Sequence, residues 1–249
     1  MFSVRYSEGL LFRKYVLSST KPLSDVPLRV SEDGFLIRGL SPDKSVLVEL
    51  SIPGSSFTEF SVSGVNDLTL ERDEISKVLK KVGKNDSIQL NYDEGSGSVR
   101  AKLVNSKSGV ERSYEIRVAA LEGPVDPIQI ELPVVIRVET SILQRIIKEA
   151  KLIGEELTIR CFKDVVEFTS LSEGREYRTS LERGKHLLEL TSNVSGAVSS
   201  TYDIDLLKTI IPILTIFDVA TLELGPSLPL KISLTGEDGV SITSWIAPR

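Results

Sequence analysis

Apolar positions along this chain recur mostly with a period of two, and in four places with the period of a helix. Leu28–Val30, Phe35–Arg38, Ser45–Leu50 and Ser87–Leu90 are short runs rich in branched residues. Asp-Gly, Ser-Pro and Pro-Gly signals bound them, so they read as strands. Ile75, Val78, Leu79 and Val82 instead fall at i, i+3, i+4 and i+7, which predicts a helix over 72–84 with Lys77, Lys80, Lys81 and Lys84 on its other side. Ile142, Leu143, Ile146, Ile147 and Ala150 predict a helix over 140–151, leaving Gln144, Arg145, Lys148 and Lys151 outward. Residues 9–20 place Leu10, Leu11, Tyr15, Val16 and Leu17 around Arg13 and Lys14. A fourth helix is expected over about 203–211 from Leu206, Leu207, Ile210 and Ile211, with Asp203 as its N-cap and Pro212 as its stop.

The four helices form two pairs. A shift of 131 residues lays 9–20 on 140–151 and 72–82 on 203–213, and lays Val30–Leu50 on Cys161–Leu181. The same shift matches Asp33 to Asp164, Leu40 to Leu171, Ser41 to Ser172 and Leu50 to Leu181. A constant offset with a repeated order of elements marks an internal duplication. Between the halves, Leu121–Pro133 holds Pro124, Pro127, Pro133 and Gly123, a composition that forbids a helix and makes an extended connector. The expected fold is α+β. Two similar domains, 1–120 and 134–249, each pack two helices on antiparallel sheet, and residues 121–133 connect them.

Composition narrows the chemistry. Of 249 residues, 41 % are hydrophobic and 26 % charged, which suits a globular chain. Cys161 is the only cysteine, so no intramolecular disulfide forms, and His186 is the only histidine, so no multi-histidine metal site does. Cys161 lies in an alternating apolar strand and is expected to be buried and structural. Gly83-Lys84-Asn85 and Gly184-Lys185-His186 lack the upstream glycine and the hydroxyl of a phosphate-binding loop. No stretch approaches the ~20 apolar residues of a membrane span, and Met1–Tyr6 lacks a signal-peptide layout. An intracellular, cytoplasmic protein without catalytic residues, metal or cofactor is expected.

Positive charge is gathered although the net charge is −5, from 30 Lys plus Arg against 35 Asp plus Glu. Any one basic helix face reads as an ordinary solvated surface. Three of four helices biased the same way in an acidic chain point to a shared polyanion, bound through its phosphates without base readout. The fourth helix departs from this, with Lys208 as its only cation.

Several local motifs then fit one family. They are Ser31-Glu32-Asp33-Gly34-Phe35-Leu36-Ile37-Arg38-Gly39-Leu40-Ser41-Pro42, the Phe57-x-x-Phe60 after Ile52-Pro53, the segment Pro229-Leu230-Lys231-Ile232, and Trp245-Ile246-Ala247-Pro248-Arg249. In this order and spacing the whole chain resembles the sliding clamps of archaea and eukaryotes, the proliferating cell nuclear antigen family. The resemblance implies a non-enzymatic ring of three subunits, identical or different, that encircles double-stranded DNA and acts as a processivity factor. It implies DNA polymerase, ligase, flap nuclease and a clamp loader as partners. A damage-checkpoint clamp and a two-domain scaffold that never closes a ring are the alternatives. The DNA-facing set is then Arg13, Lys14, Lys77, Lys80, Lys81, Lys84, Arg145, Lys148, Lys151 and Lys208, with Arg117 added from a strand.

Ring closure implies a head-to-tail contact between edge strands at about Gly109–Arg117 and Gly174–Arg183. Val110, Tyr114 and Ile116 alternate with charges in the first, Tyr177 and Leu181 in the second, and Arg112, Arg175 and Arg178 help select the neighbour. Residue matching also implies a client pocket from Leu40, Lys44, Val46, Leu47, Val125, Ile128, Ile130, Pro229, Trp245, Ile246, Ala247 and Pro248.

Overall fold

The computed structural model describes residues Met1–Arg249. The first half runs β1 (Phe2–Tyr6), α1 (Gly9–Ser19), β2 (Asp25–Ser31), β3 (Gly34–Leu40), β4 (Val46–Pro53), β5 (Glu59–Val62), β6 (Asn66–Glu71), α2 (Arg72–Leu79), β7 (Asp86–Tyr92), β8 (Ser98–Asn105) and β9 (Glu111–Ala120). The second half runs β10 (Val134–Glu139), α3 (Thr140–Lys151), β11 (Glu156–Phe162), β12 (Val165–Ser172), β13 (Arg175–Glu182), β14 (Leu187–Ser192), β15 (Val198–Asp203), α4 (Ile204–Thr209), α5 (Ile211–Leu214), β16 (Val219–Leu224), β17 (Leu230–Thr235) and β18 (Ser241–Ile246). Residues 121–133 belong to no helix or strand. The offset of 131 carries β2 onto β11 residue for residue, and α1 and β3 onto α3 and β12 to within one residue.

Two compact units result. The first comprises Met1–Pro42, Val48–Asp126 and Thr235–Ile242, the second Asp43–Leu47, Pro127–Leu234 and Thr243–Arg249. In the first, β3-β2-β6-β9-β8-β7-β1-β5 are successive neighbours. Strand β9 turns between two partners, with Glu111–Arg117 on β8 and Val118–Ala120 on β6. Alternation along β1, buried at Phe2, Val4 and Tyr6, points one face inward. There Phe12 of α1 meets Phe35 and Tyr6 at ring-centroid distances of 5.5 and 5.6 Å, and Tyr6 meets Phe57 at 5.5 Å. Each such buried ring contributes about 1.5–3 kcal/mol. Helix α1 packs on β7, and α2 on β6 and β9.

In the second unit, β14-β10-β16-β17 are successive neighbours and β13-β12-β11-β15 form a separate antiparallel sheet. Helix α3 buries Ile142, Leu143, Ile146, Ile147 and Ala150 against β10, β11 and β12. Thr140 Oγ1 donates to Phe217 O at 2.5 Å at its start, and Lys148 and Lys151 suit the negative end of its dipole.

Two helix expectations are corrected. Helix α2 ends at Leu79, not 84: Lys81 and Val82 N–H bond to Val78 and Leu79 carbonyls three residues back, a tighter turn that still buries Val82. Pro212 does not stop the fourth helix. Helix α4 ends at Thr209, and Pro212 lies in the first turn of α5, where no N–H partner is required of it. Asp203 caps α4 as expected, its Oδ1 accepting from Asp205 N at 2.7 Å and Leu206 N at 3.4 Å.

Candidate functional site

Amphipathic spacing sets the helix faces: with their apolar stripes on the sheets, α2 and α3 turn their polar sides to solvent. Lys77 of α2, Lys80 at its C-cap, and Arg145 and Lys148 of α3 are exposed there, and none of them is ion-paired with a carboxylate. Lys14 on α1 is also exposed, while Arg13 Nη1 donates to Val82 O at 3.1 Å and ties α1 to the turn after α2. Lys81 and Lys84 stand in that turn. The Lys81 ammonium lies 4.6 Å from the Tyr114 ring centroid. Arg117 is exposed on β9, its backbone N–H donating to Glu74 Oε2 at 3.1 Å. In the second unit Lys151 Nζ and Lys208 Nζ share Asp205, at 2.8 and 3.2 Å.

Both proposed edges are open strands. Glu111–Arg117 of β9 pairs only with β8, and β13 pairs only with β12. Val110 is exposed, Tyr114 half-buried, and Ile116 buried in the sheet's own core. Arg112 turns inward, to the buried Asp86 carboxylate and to Lys81 O at 3.1 Å. Arg175 donates to the Leu152 and Ile153 carbonyls at 3.5 and 3.4 Å, and Arg178 pairs with Glu176 at 2.8 Å and Glu167 at 3.6 Å. Leu181 is buried. Tyr177 Oη donates to Glu149 Oε2 at 3.1 Å; burial, then Glu149, pushes its phenol up to about 12.

Leu152 and Leu171, apolar residues outside the sets read from the sequence, stand 75 % and 65 % exposed close to β13. The signal was present for Leu152. It is an apolar residue out of phase with the 142-143-146-147-150 stripe.

The client-pocket residues divide by depth. Val46, Leu47, Trp245 and Ile246 are buried, whereas Lys44 and Ile130 are exposed and Leu40, Val125, Ile128, Pro229, Ala247 and Pro248 are half-buried. In the first unit, Arg38 binds Glu49 at 2.5 Å and donates to Val125 O at 3.4 Å, holding the start of the connector. A cavity of about 500 Å³ lies there, lined by Pro27, Thr69, Leu121 and Val125 among others. In the second unit, Lys231 Nζ lies 5.5 Å from the Trp245 ring centroid. Arg249 N donates to Thr201 O at 2.9 Å and its Nη2 to Asp203 Oδ2 at 2.7 Å, fastening Pro248 and Arg249 along β15, while Ala247 N donates to Ser45 O at 2.9 Å.

No group of three or more His, Cys, Asp and Glu side chains is placed to hold a metal ion. Burial pushes the Cys161 thiol up to about 12, away from the thiolate a nucleophile needs. His186 Nδ1 lies 3.0 Å from Glu139 Oε2 on the surface. No helix is long and apolar enough to cross a membrane.

The sequence profile of the proliferating cell nuclear antigen N-terminal domain matches residues 1–126. The chain is 28 % identical over 254 residues to DNA polymerase sliding clamp 1 of Saccharolobus solfataricus, and 24 % identical over 251 residues to DNA polymerase sliding clamp 2 of Sulfurisphaera tokodaii, covering all of both chains in each case. It superposes on PCNA from Thermococcus kodakaraensis with a TM-score of 0.92 at 22 % identity, each chain wholly covered. On a chain of the PCNA2–PCNA3 complex from Sulfolobus tokodaii the TM-score is 0.88 at 22 % identity, covering 99 % of each.

Proposed function

We propose, since the chain belongs to the proliferating cell nuclear antigen family, that it is a sliding-clamp subunit, a non-enzymatic processivity factor whose ring encircles duplex DNA. The observation that carries this reading is the set of exposed, carboxylate-free cations Lys77 and Lys80 at the end of α2 and Arg145 and Lys148 on α3, in a chain with net charge −5. Enclosure supplies retention, so the lining needs only mobile phosphate contacts, and tight base readout would stop the ring from sliding.

Residues 1–120 and 134–249 are taken as the two clamp domains, with 121–133 as the connector. Clients (polymerase, ligase, flap nuclease) dock around Lys44, Ile128, Ile130, Pro229, Ala247 and Pro248, above a buried floor of Val46, Leu47, Trp245 and Ile246. A separate loader opens the ring, and the clamp works in the cytoplasm on the chromosome.

Neighbouring subunits join through β9 of one and β13 of the next, where main-chain pairing satisfies open N–H and C=O groups. Leu152, exposed close to β13, adds apolar area to that contact. A solved relative that is a complex of two differently numbered clamp chains supports closure with related subunits. The mass of this chain alone and mixed with such relatives tests it. The assembled ring is expected to stay on closed circular DNA and to run off linear DNA with free ends. Equal retention on both would contradict the reading.

A further inference from the structure

Asp205 is exposed in the first turn of α4, and its two oxygens are divided between two lysines. Oδ2 lies 2.8 Å from Lys151 Nζ on α3 and Oδ1 lies 3.2 Å from Lys208 Nζ on α4. Hydrogen bonds from Lys151 and then Lys208 hold Asp205 below its ordinary value, and Asp205 holds the proton on Lys151 more tightly.

The internal repeat supplies the control. Subtracting 131 places Glu74 opposite Asp205, Lys77 opposite Lys208 and Thr20 opposite Lys151. Glu74 also precedes its lysine by three residues, but its Oε2 accepts from the Arg117 backbone N–H at 3.1 Å, and Lys77 is left without a carboxylate. One duplicated position therefore carries an acid bound by a backbone N–H in the first unit and an acid bound by two lysine ammonium groups in the second.

We propose that Asp205 masks Lys151 and Lys208 from the DNA phosphates, so that the α3–α4 surface grips the duplex through Arg145 and Lys148 alone. The inference rests on the sliding-clamp reading and adds a residue that weakens contact. A phosphate reaching either lysine must displace a carboxylate already bound to it, and a ring that must keep moving benefits from that competition.

The test is the salt dependence of binding between the assembled ring and a linear duplex of about 30 base pairs, since each phosphate contact contributes about 0.9 to the slope of log K against log salt. Asp205→Asn, which keeps the side-chain shape, is expected to tighten binding several-fold at low salt and to steepen the slope by about one to two. Adding Lys151→Ala and Lys208→Ala to it is expected to return the slope to that of the unaltered ring. Lys77→Ala with Lys80→Ala, which flattens the slope on the sliding-clamp reading, separates the two ideas. A flattened slope in that variant with no change in Asp205→Asn overturns the masking role and leaves the DNA-facing surface intact. No change in either overturns both. Tightening by Asp205→Asn that survives loss of both lysines also overturns the proposal, because it would be a long-range charge effect. Melting temperatures of each variant verify that the ring remains folded.

Discussion

The Lys81 ammonium stands over the Tyr114 ring, 4.6 Å from its centroid. This contact joins the turn after α2, on the basic side of the first unit, to the open stretch of β9. Tyr114 is half-buried, and a cation over an aromatic face contributes about 0.5–1 kcal/mol at an exposed site. The proposed DNA surface and the proposed subunit edge therefore share one pair of side chains. Tyr114→Ala is expected to weaken assembly by about 1–3 kcal/mol, as for a central aromatic anchor. Lys81→Ala should cost no more than about 1 kcal/mol. Sedimentation at falling protein concentration separates them, and equal, undiminished assembly in both would place the contact elsewhere.

Arg112, on the strand proposed to meet a neighbouring subunit, pairs with Asp86, whose side chain is 1 % exposed. Burial works against the charged carboxylate. The Gly83 N–H at 2.7 Å, the Asn105 amide at 2.8 Å and the Arg112 guanidinium more than offset it, and the carboxyl sits below its ordinary value. The native state thus binds fewer protons than the unfolded chain at acid pH. The contribution is complete above the unfolded value near 3.8 and is lost as pH falls through the lower folded value. Arg112→Ala should destabilise the chain by about 1–3 kcal/mol at neutral pH, since a buried acceptor loses its charged partner. It should also shrink the fall in stability on the acid side, because the folded Asp86 value moves back towards the unfolded one. Urea midpoints measured across pH check both; an unchanged acid limb would show that Arg112 does not govern Asp86.

The proposed client surface gives a contrast between exposed and buried apolar residues. Ile130 is 42 % exposed and Trp245 only 7 %. Ile130→Ala is expected to weaken client-peptide binding by about 1–3 kcal/mol with little change in melting temperature. Trp245→Ala removes a buried ring and should cost about 3–5 kcal/mol of stability in its own right. Peptide titration calorimetry alongside thermal melts distinguishes the two effects. Full peptide affinity in Ile130→Ala would move the site off the connector.

Periodicity carried the fold a long way because burial, the quantity it reports, is what organises these elements. The stripe of α3 appears in the structure residue for residue, and Val82 is buried where the α2 pattern places it although the backbone has left the α-helix. Hydrogen-bond geometry is a different quantity, and the pattern overran it there: Gly83 N–H bonds to the Asp86 carboxylate, drawing the chain into a turn. Pro212 misled because a proline that would break a helix interior is also well suited to a first turn. The basic faces were legible as residue types. Their partners were not, since Lys151 and Asp205, Arg112 and Asp86, and Lys81 and Tyr114 lie 26 to 54 residues apart. Which cations remain free is decided by those pairings.

Two tyrosines converge on one carboxylate in the first unit. Tyr6 Oη and Tyr15 Oη donate to Asp238 Oδ2 at 3.0 and 3.3 Å, and Ser56 Oγ donates to Asp238 O at 2.7 Å, anchoring the 236–240 turn. Burial, then the Asp238 charge and hydrogen bond, raises both phenols far above their ordinary value of 10.0. The folded state therefore holds phenolic protons that the unfolded chain releases. Their contribution is complete below pH about 10 and declines as pH rises beyond it, because only the unfolded form ionises there. Phenolate absorbance from these two residues should appear together with alkaline unfolding rather than ahead of it. Tyr6→Phe should lower stability by about 1–3 kcal/mol at neutral pH, by removing one donor to a charged acceptor. Tyr6→Phe combined with Tyr15→Phe should also shift the alkaline unfolding limb to higher pH relative to the neutral plateau, since fewer groups drive it. Free titration of both phenols near their ordinary value in the folded chain would rule out the shared Asp238 contact.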